Sequence, residues 1–259
     1  MSRFIVWAVL ALAGTAVSAQ NTAPKYSFSG SDKEPIITMD FRGSRMKRID
    51  DAPTLSIYAD GRVVMPQTYK HSRAYSGQIS QTEMQSLLDE IVGEHRFFSY
   101  DEEKVASKLA ALPDGEVLPA HLSTTVITVK ANNQSKSVSY YGLGNQRTVA
   151  ETEDLLAIRN RLEQIMSVMK LGGYEEAGRW LALANRELHA NDPQAQALQL
   201  KDLRSAAIHN DGSAYVRFAR VTPALSKSVS VSISMSESGQ STIAVARDDL
   251  LSRPPNQIR

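Results

Sequence analysis

The sequence has no cysteine in its 259 residues. Disulfides and thiolate zinc sites are closed to it, so burial alone must hold the fold. A chain of this length buries enough apolar surface to do so. The constraint matters because the N-terminus reads as an export signal, and exported domains commonly rely on disulfides. Arg3 precedes an apolar run from Phe4 through Leu10, Leu12 and Ala13. The small residues Ala16-Val17-Ser18-Ala19 then stand before Gln20. Charged start, apolar middle and small residues at the cut are the order of a secretory signal peptide. The apolar run is about ten residues, against the roughly 20 needed to span a bilayer as a helix. The pattern predicts cleavage between Ala19 and Gln20. Gln20 stands where a lipoprotein carries its lipidated cysteine, so no stable membrane anchor is expected after cleavage. The expected location is periplasmic or secreted.

Lys plus Arg is 29 and Asp plus Glu is 28, a net charge of +1. Removing Arg3 with the signal leaves 28 against 28. A clearly basic domain, the footprint of nucleic-acid binding, is absent.

Hydrophobic period and turn chemistry then divide the chain. Residues 20–34 are polar and read as a flexible leader. Ile36, Ile37, Met39 and Phe41 suggest a first strand. Asp60-Gly61 between Thr54–Tyr58 and Arg62–Met65 signals a hairpin, because glycine supplies the positive φ of a tight turn. Ser80-Gln81-Thr82-Glu83 is a capping box. Met84, Leu87, Leu88, Ile91 and Val92 follow at helical spacing, predicting a helix to about Gly93. Phe97 and Phe98 add large apolar groups just beyond it. Asp101–Leu112 is a weaker helix stopped by Pro113-Asp114-Gly115. Thr125–Lys130 and Lys136–Tyr141 flank Asn132-Asn133-Gln134 as a second hairpin. A long helix over Glu151–Met169 ends at Gly172-Gly173, where a boundary between two lobes is placed.

The second lobe opens with a helix over Tyr174–His189. Asp192-Pro193 predicts a short helix, with aspartate as cap and proline in the first turn. Two hairpins follow, Leu203–Ile208 with Ala214–Val221 and Ser228–Met235 with Ser241–Ala246. The expected fold is α+β in two lobes, 35–171 and 172–253, each with antiparallel hairpins packed on helices. A disordered tail is expected at 254–259.

Residues from about 54 to 169 run in the order hairpin, helix with Glu83, Leu87 and Leu88, paired phenylalanines, hairpin, helix. Opening on Leu55-Ser56-Ile57-Tyr58-Ala59-Asp60-Gly61, this order resembles a family of uncharacterised bacterial exported domains. It is also similar to small peptidase inhibitors of the emfourin type. The matched residues are core formers, so the resemblance implies a fold and places no binding residue. Gly173-Tyr174-Glu175-Glu176-Ala177 with Asp192-Pro193 resembles part of one tetratricopeptide unit. A solenoid needs several stacked copies. No second copy is found, so an ordinary helical hairpin is expected.

The chemical motifs are sparse. His71, His95, His121, His189 and His209 include no pair at zinc-peptidase spacing, so no metal site is expected and the histidines are read as surface residues. No Gly-x-Ser-x-Gly elbow occurs. Ser44 with Lys47 and Ser167 with Lys170 are Ser-x-x-Lys pairs without the companion elements of penicillin-binding enzymes. Gly142-Leu143-Gly144-Asn145 lacks the lysine of a phosphate loop, and no cofactor is expected. Asp101-Glu102-Glu103 fits a helix start better than a cation site.

Two surfaces rise above this background. Arg42, Arg45, Lys47 and Arg48 form a basic cluster suited to an anionic partner, or a solvated strand end balanced by Asp50 and Asp51. Ser228, Ser230, Ser232, Ser234 and Ser236 alternate with Val229, Val231, Ile233 and Met235. They read as a flat hydroxyl face, a pairing edge, or a plain amphipathic strand. The expected function is non-enzymatic binding or assembly with another envelope or secreted protein. The alternatives are a peptidase inhibitor and a hydrolase with dispersed catalytic residues.

Overall fold

The computed structural model describes residues 25–28, 33–43, 47–70, 72–111, 121–145, 149–209, 211–222 and 227–249. The expected cleavage point Ala19–Gln20, Arg45, His71, the stop Pro113-Asp114-Gly115 and the tail 254–259 lie outside them. The protein is α+β, with two antiparallel sheets packed on helices.

The first sheet is built on β1 (Pro35–Arg42). It pairs with β2 (Leu55–Tyr58) on one side and β5 (Thr124–Ala131) on the other. Ile37 and Met39 lie opposite Ile57 and Leu55 on one flank and Val129 and Ile127 on the other, making one buried apolar face. With β3 (Arg62–Met65), β4 (Tyr75–Gln78) and β6 (Gln134–Tyr141) the order is β4-β3-β2-β1-β5-β6. Gly61 has φ +87, and a Cβ there would lie 2.2 Å from the Ile79 carbonyl oxygen. The Asp60-Gly61 turn thus requires glycine for both its conformation and its space. At the second hairpin Asn132 and Asn133 take φ 51 and 62, and Gln134 already pairs with Ala131 as strand. This is a two-residue loop with both central residues at positive φ.

α1 (Gln81–Leu88) starts at Ser80, whose Oγ accepts from Glu83 N at 3.2 Å. The helix widens into a π turn over Asp89–Glu94, closed by His95 N donating to Glu90 O at 2.9 Å. Met84, Leu87, Leu88 and Ile91 are fully buried. α2 (Glu102–Ala110) is capped by Asp101, which accepts from Lys104 N, so the acidic run belongs to a helix start.

α3 (Ala150–Lys170) joins the two sheets. Its residues 164–169 are all buried, the signature of a helix enclosed on every side. Beneath it, a Cβ on Gly77 would lie 2.3 Å from Met169 Sδ, so the short strand β4 uses glycine to admit the helix. α3 ends at Gly172 and Gly173, and Gly173 N donates back to Val168 O at 2.9 Å. α4 (Tyr174–Asn191) then buries Ala177, Ala184 and Leu188 and packs against both α3 and the second sheet. That sheet is a meander, β10-β9-β8-β7, of β7 (Leu203–Ile208), β8 (Ala214–Thr222), β9 (Lys227–Met235) and β10 (Ser241–Asp249). Its inner face carries Val216, Phe218, Val231 and Ile233, and these join the first sheet's core in a single buried cluster.

Three expectations change. Asp192-Pro193 starts no helix. Asp192 Oδ1 accepts from Gln194 N and its carbonyl from Ala195 N, a turn that the same aspartate chemistry also favours. Residues 25–28 of the leader are docked: Tyr26 is buried, its N–H donates to Gln85 Oε1 and its carbonyl accepts from Gln85 Nε2. The serine strand β9 is interior, paired with β8 and β10 along both edges, so it is not a pairing edge.

Candidate functional site

The basic cluster does not act as a unit. Asp40, with a side chain 7% exposed, accepts from Arg48 Nη1 at 2.7 Å and from Arg42 Nε at 3.3 Å. Thr54 adds its N–H at 3.3 Å and Oγ1 at 3.1 Å to Asp40 Oδ1. Arg48 also donates to the carbonyls of Asp50 and Ala52. The balancing acid is therefore Asp40 rather than Asp50 or Asp51, and Arg48 ties the loop 47–54 to the end of β1. Burial alone pushes the Asp40 carboxyl up. Arg48, Thr54 and Arg42 outweigh that and hold it below its usual range. Arg42 and Lys47 remain exposed. Ser230, Ser232 and Ser234 lie on the outer face of the second sheet opposite Ala219, Arg217 and Tyr215, with Ala246, Ala244 and Thr242 on the other flank. On β9 and β10 this face carries small side chains, serine, alanine and threonine. Among the described residues, basic cluster and serine face contribute no side chain to either cavity described below.

Thr54 leads to the principal cavity. A space of about 330 Å³ opens between the β3–β4 connection, the last turn of α3 and β7. Its walls hold Met65, Met166, Ala206 and Ile208, the rings of Tyr69 and Tyr75, and the polar groups of Thr54, Thr68, Ser72, Arg73, Lys170 and His209. Ser72 shapes the wall, its Oγ accepting from Tyr69 N and donating to Tyr69 O, both at 2.9 Å. The described lining contains Lys170 and Arg73 and no carboxylate. Burial lowers the Lys170 amine below its ordinary value, and Glu163 offsets this only partly. Glu163 is itself bonded to Arg159 at 3.1 Å. Among the described residues Lys170 has no hydrogen bond or ion pair. Its Ser-x-x-Lys partner Ser167 is buried and donates to Glu163 O at 3.0 Å, so the two do not form a nucleophile and base.

A second cavity of about 250 Å³ lies beside the π turn. His95 Nδ1 is 2.9 Å from Asp154 Oδ1 on α3, and the His95 side chain is only 14% exposed. Burial, with smaller contributions from Tyr140, Glu102 and Glu151, pushes the Tyr100 hydroxyl up to about 12. Ser99 shares this lining, but among the described residues no hydrogen bond joins it to His95, so no nucleophile–base contact is assembled. His189 Nε2 lies 2.9 Å from Ala195 O, so His95 and His189 are structural rather than surface residues. Among the described residues no three His, Asp or Glu side chains form a metal group, and no helix is long and apolar enough to cross a membrane.

The principal cavity was not legible as a motif, because four separate segments build it. One trace was present: Lys170 follows Met166 by one turn on a helix otherwise uncharged over its last two turns. No protein-family model, curated protein or solved structure matches the chain.

Proposed function

We propose that this chain is an exported binding protein whose inter-sheet cavity takes a small anionic molecule with an apolar portion. The carrying observation is Lys170, a half-buried ammonium in a cavity wall whose described lining holds no carboxylate, with Glu163 offsetting its burial only partly. A buried charge without a partner is costly, and a ligand anion supplies the missing partner. Arg73 adds a second positive charge, the Tyr75 hydroxyl adds a donor, and Met65, Met166 and Ile208 accept an apolar body. The volume lies at the lower end of the small-molecule range of about 300–1,000 Å³. The export signal supports a periplasmic or secreted setting.

The test is thermal denaturation of the chain from Gln20 onward with hexanoate, hexyl phosphate, hexanol or hexylamine. An anion at 100 times its Kd stabilises by about 2.7 kcal/mol, raising Tm by roughly 5–10 °C for a chain of this size. The neutral and cationic probes should do nothing. Binding requires the ammonium, so affinity should fall as pH rises through the Lys170 value, which lies below 10.5. An equal response to hexylamine would refute the reading.

A further inference from the structure

Sheet edges present unpaired N–H and C=O groups, and proteins usually shorten, cover or charge them. Three of the four edges here are treated in this way. β4 has four residues and lies against α3. β6 is flanked by the turn at Phe97–Ser99, whose Phe98 carbonyl accepts from Lys136 Nζ at 3.0 Å. β7 runs along α3. β10 is the exception. It is nine residues long and pairs only with β9, while α4 packs against the sheet's inner face. Among the described residues no other backbone group bonds to its outer edge. Its centre, Ile243-Ala244-Val245-Ala246, contains neither charge nor proline.

We propose that β10 is a self-association edge, pairing antiparallel with β10 of a second copy about a two-fold axis at Val245. The two four-stranded meanders then join into one continuous sheet. The sequence is self-complementary in that register. Ser241 and Thr242 fall opposite positions 249 and 248 of the partner subunit. Ile243 falls opposite Arg247 of the partner subunit, Ala244 opposite Ala246 of the partner subunit, and Val245 meets its own copy. No like charges face each other. Moving the axis two residues, to Arg247, sets that arginine against itself, and one further residue sets Asp248 against itself. Like charges directly opposite are destabilising, so charge opposes shifts toward Arg247 and Asp248, while shifts the other way shorten the overlap. A two-fold interface needs a self-complementary patch of this kind.

Ala244 and Ala246 are exposed and alternate with Ile243 and Val245, which pack on the core, so they report the edge without disturbing it. Sedimentation of the chain from Gln20 onward at increasing concentration should show a dimer. Ala244→Lys with Ala246→Lys puts lysine opposite lysine and should give a monomer of unchanged Tm. Ala244→Glu with Ala246→Lys puts each introduced glutamate opposite the partner's introduced lysine and should restore the dimer. A wild type that stays monomeric to about 100 µM, within the micromolar-to-millimolar range where exposed strand edges associate, would overturn the proposal. So would a dimer indifferent to the lysine pair. A dimer appearing only after deletion of residues 250–259 would also overturn it, by giving the edge to the chain's own tail.

Discussion

Replacing Arg48 with methionine isolates what the basic cluster does. Arg48 is 19% exposed and Arg42 is 68% exposed, yet both contact Asp40, whose side chain is 7% exposed. Removing Arg48 leaves a buried carboxylate with Thr54 and one solvent-screened arginine. Breaking a buried pair costs about 3–5 kcal/mol, whereas an exposed arginine contributes about 0–1 kcal/mol. Against a total stability of about 5–15 kcal/mol, Arg48→Met should be severe and Arg42→Met slight. Urea denaturation at pH 7 should separate them by at least about 2 kcal/mol, the lower bound of that difference. Asp40→Asn combined with Arg48→Met removes the bare charge, so the double variant should be more stable than the two losses added together. The pH dependence has a fixed sign. Asp40 ionises below its unfolded value of 3.8, so its stabilisation is complete above that value and is lost as pH falls through the folded one. Arg48→Met should flatten this acid limb. Equal losses from Arg48→Met and Arg42→Met would refute the assignment of Arg48 as the tether of loop 47–54.

Two further outcomes are expected. Leu88→Asp should unfold the protein in urea titration, since an unpaired buried carboxylate costs several kcal/mol, while Ser86→Asp on the exposed face of α1 should shift stability by under about 0.5 kcal/mol; similar losses from both would mean that the face is misassigned. Mass measurement of protein secreted by its native export route should give an N-terminus at Gln20, and recovery of the intact chain from membranes would refute cleavage.

What the sequence disclosed follows from how local each determinant is. Asp60-Gly61, Asn132-Asn133 and the Met84–Ile91 stripe act within a few residues, and their elements stand where periodicity places them. β4 was not legible, because Ser76 and Gly77 give no alternation. It exists because β3 needs a neighbour and Met169 needs a glycine beneath it. Gln85 reads as an exposed helix residue, yet a segment 59 residues away bonds to it. The serine alternation fixed which side of β9 faces out. It carried no information on whether β9 was edge or centre, because that depends on hairpins to either side. Arg48 shows the same limit: its spacing marks it as charged surface, while its partner Asp40 looked like an ordinary strand residue.

Lys170 admits two physical accounts, and they predict different things. A basic residue in the last turn of α3 complements the helix dipole, worth about 0.3–1 kcal/mol. If that were its whole role, Lys170→Met would lose this amount and leave any response to anions intact. Burial argues otherwise, because it lowers the Lys170 value and so disfavours the charged form that the dipole needs. In the range between the folded value and 10.5 the unfolded chain binds the extra proton, so stability should rise with pH there. An ammonium kept as an anion's anchor therefore destabilises the empty protein slightly. Lys170→Met should be neutral or stabilising without ligand, should lose the alkaline rise in stability, and should abolish the hexanoate or hexyl phosphate shift. Loss of stability with the anion shift retained would assign Lys170 to the helix end and leave the cavity without its anchor.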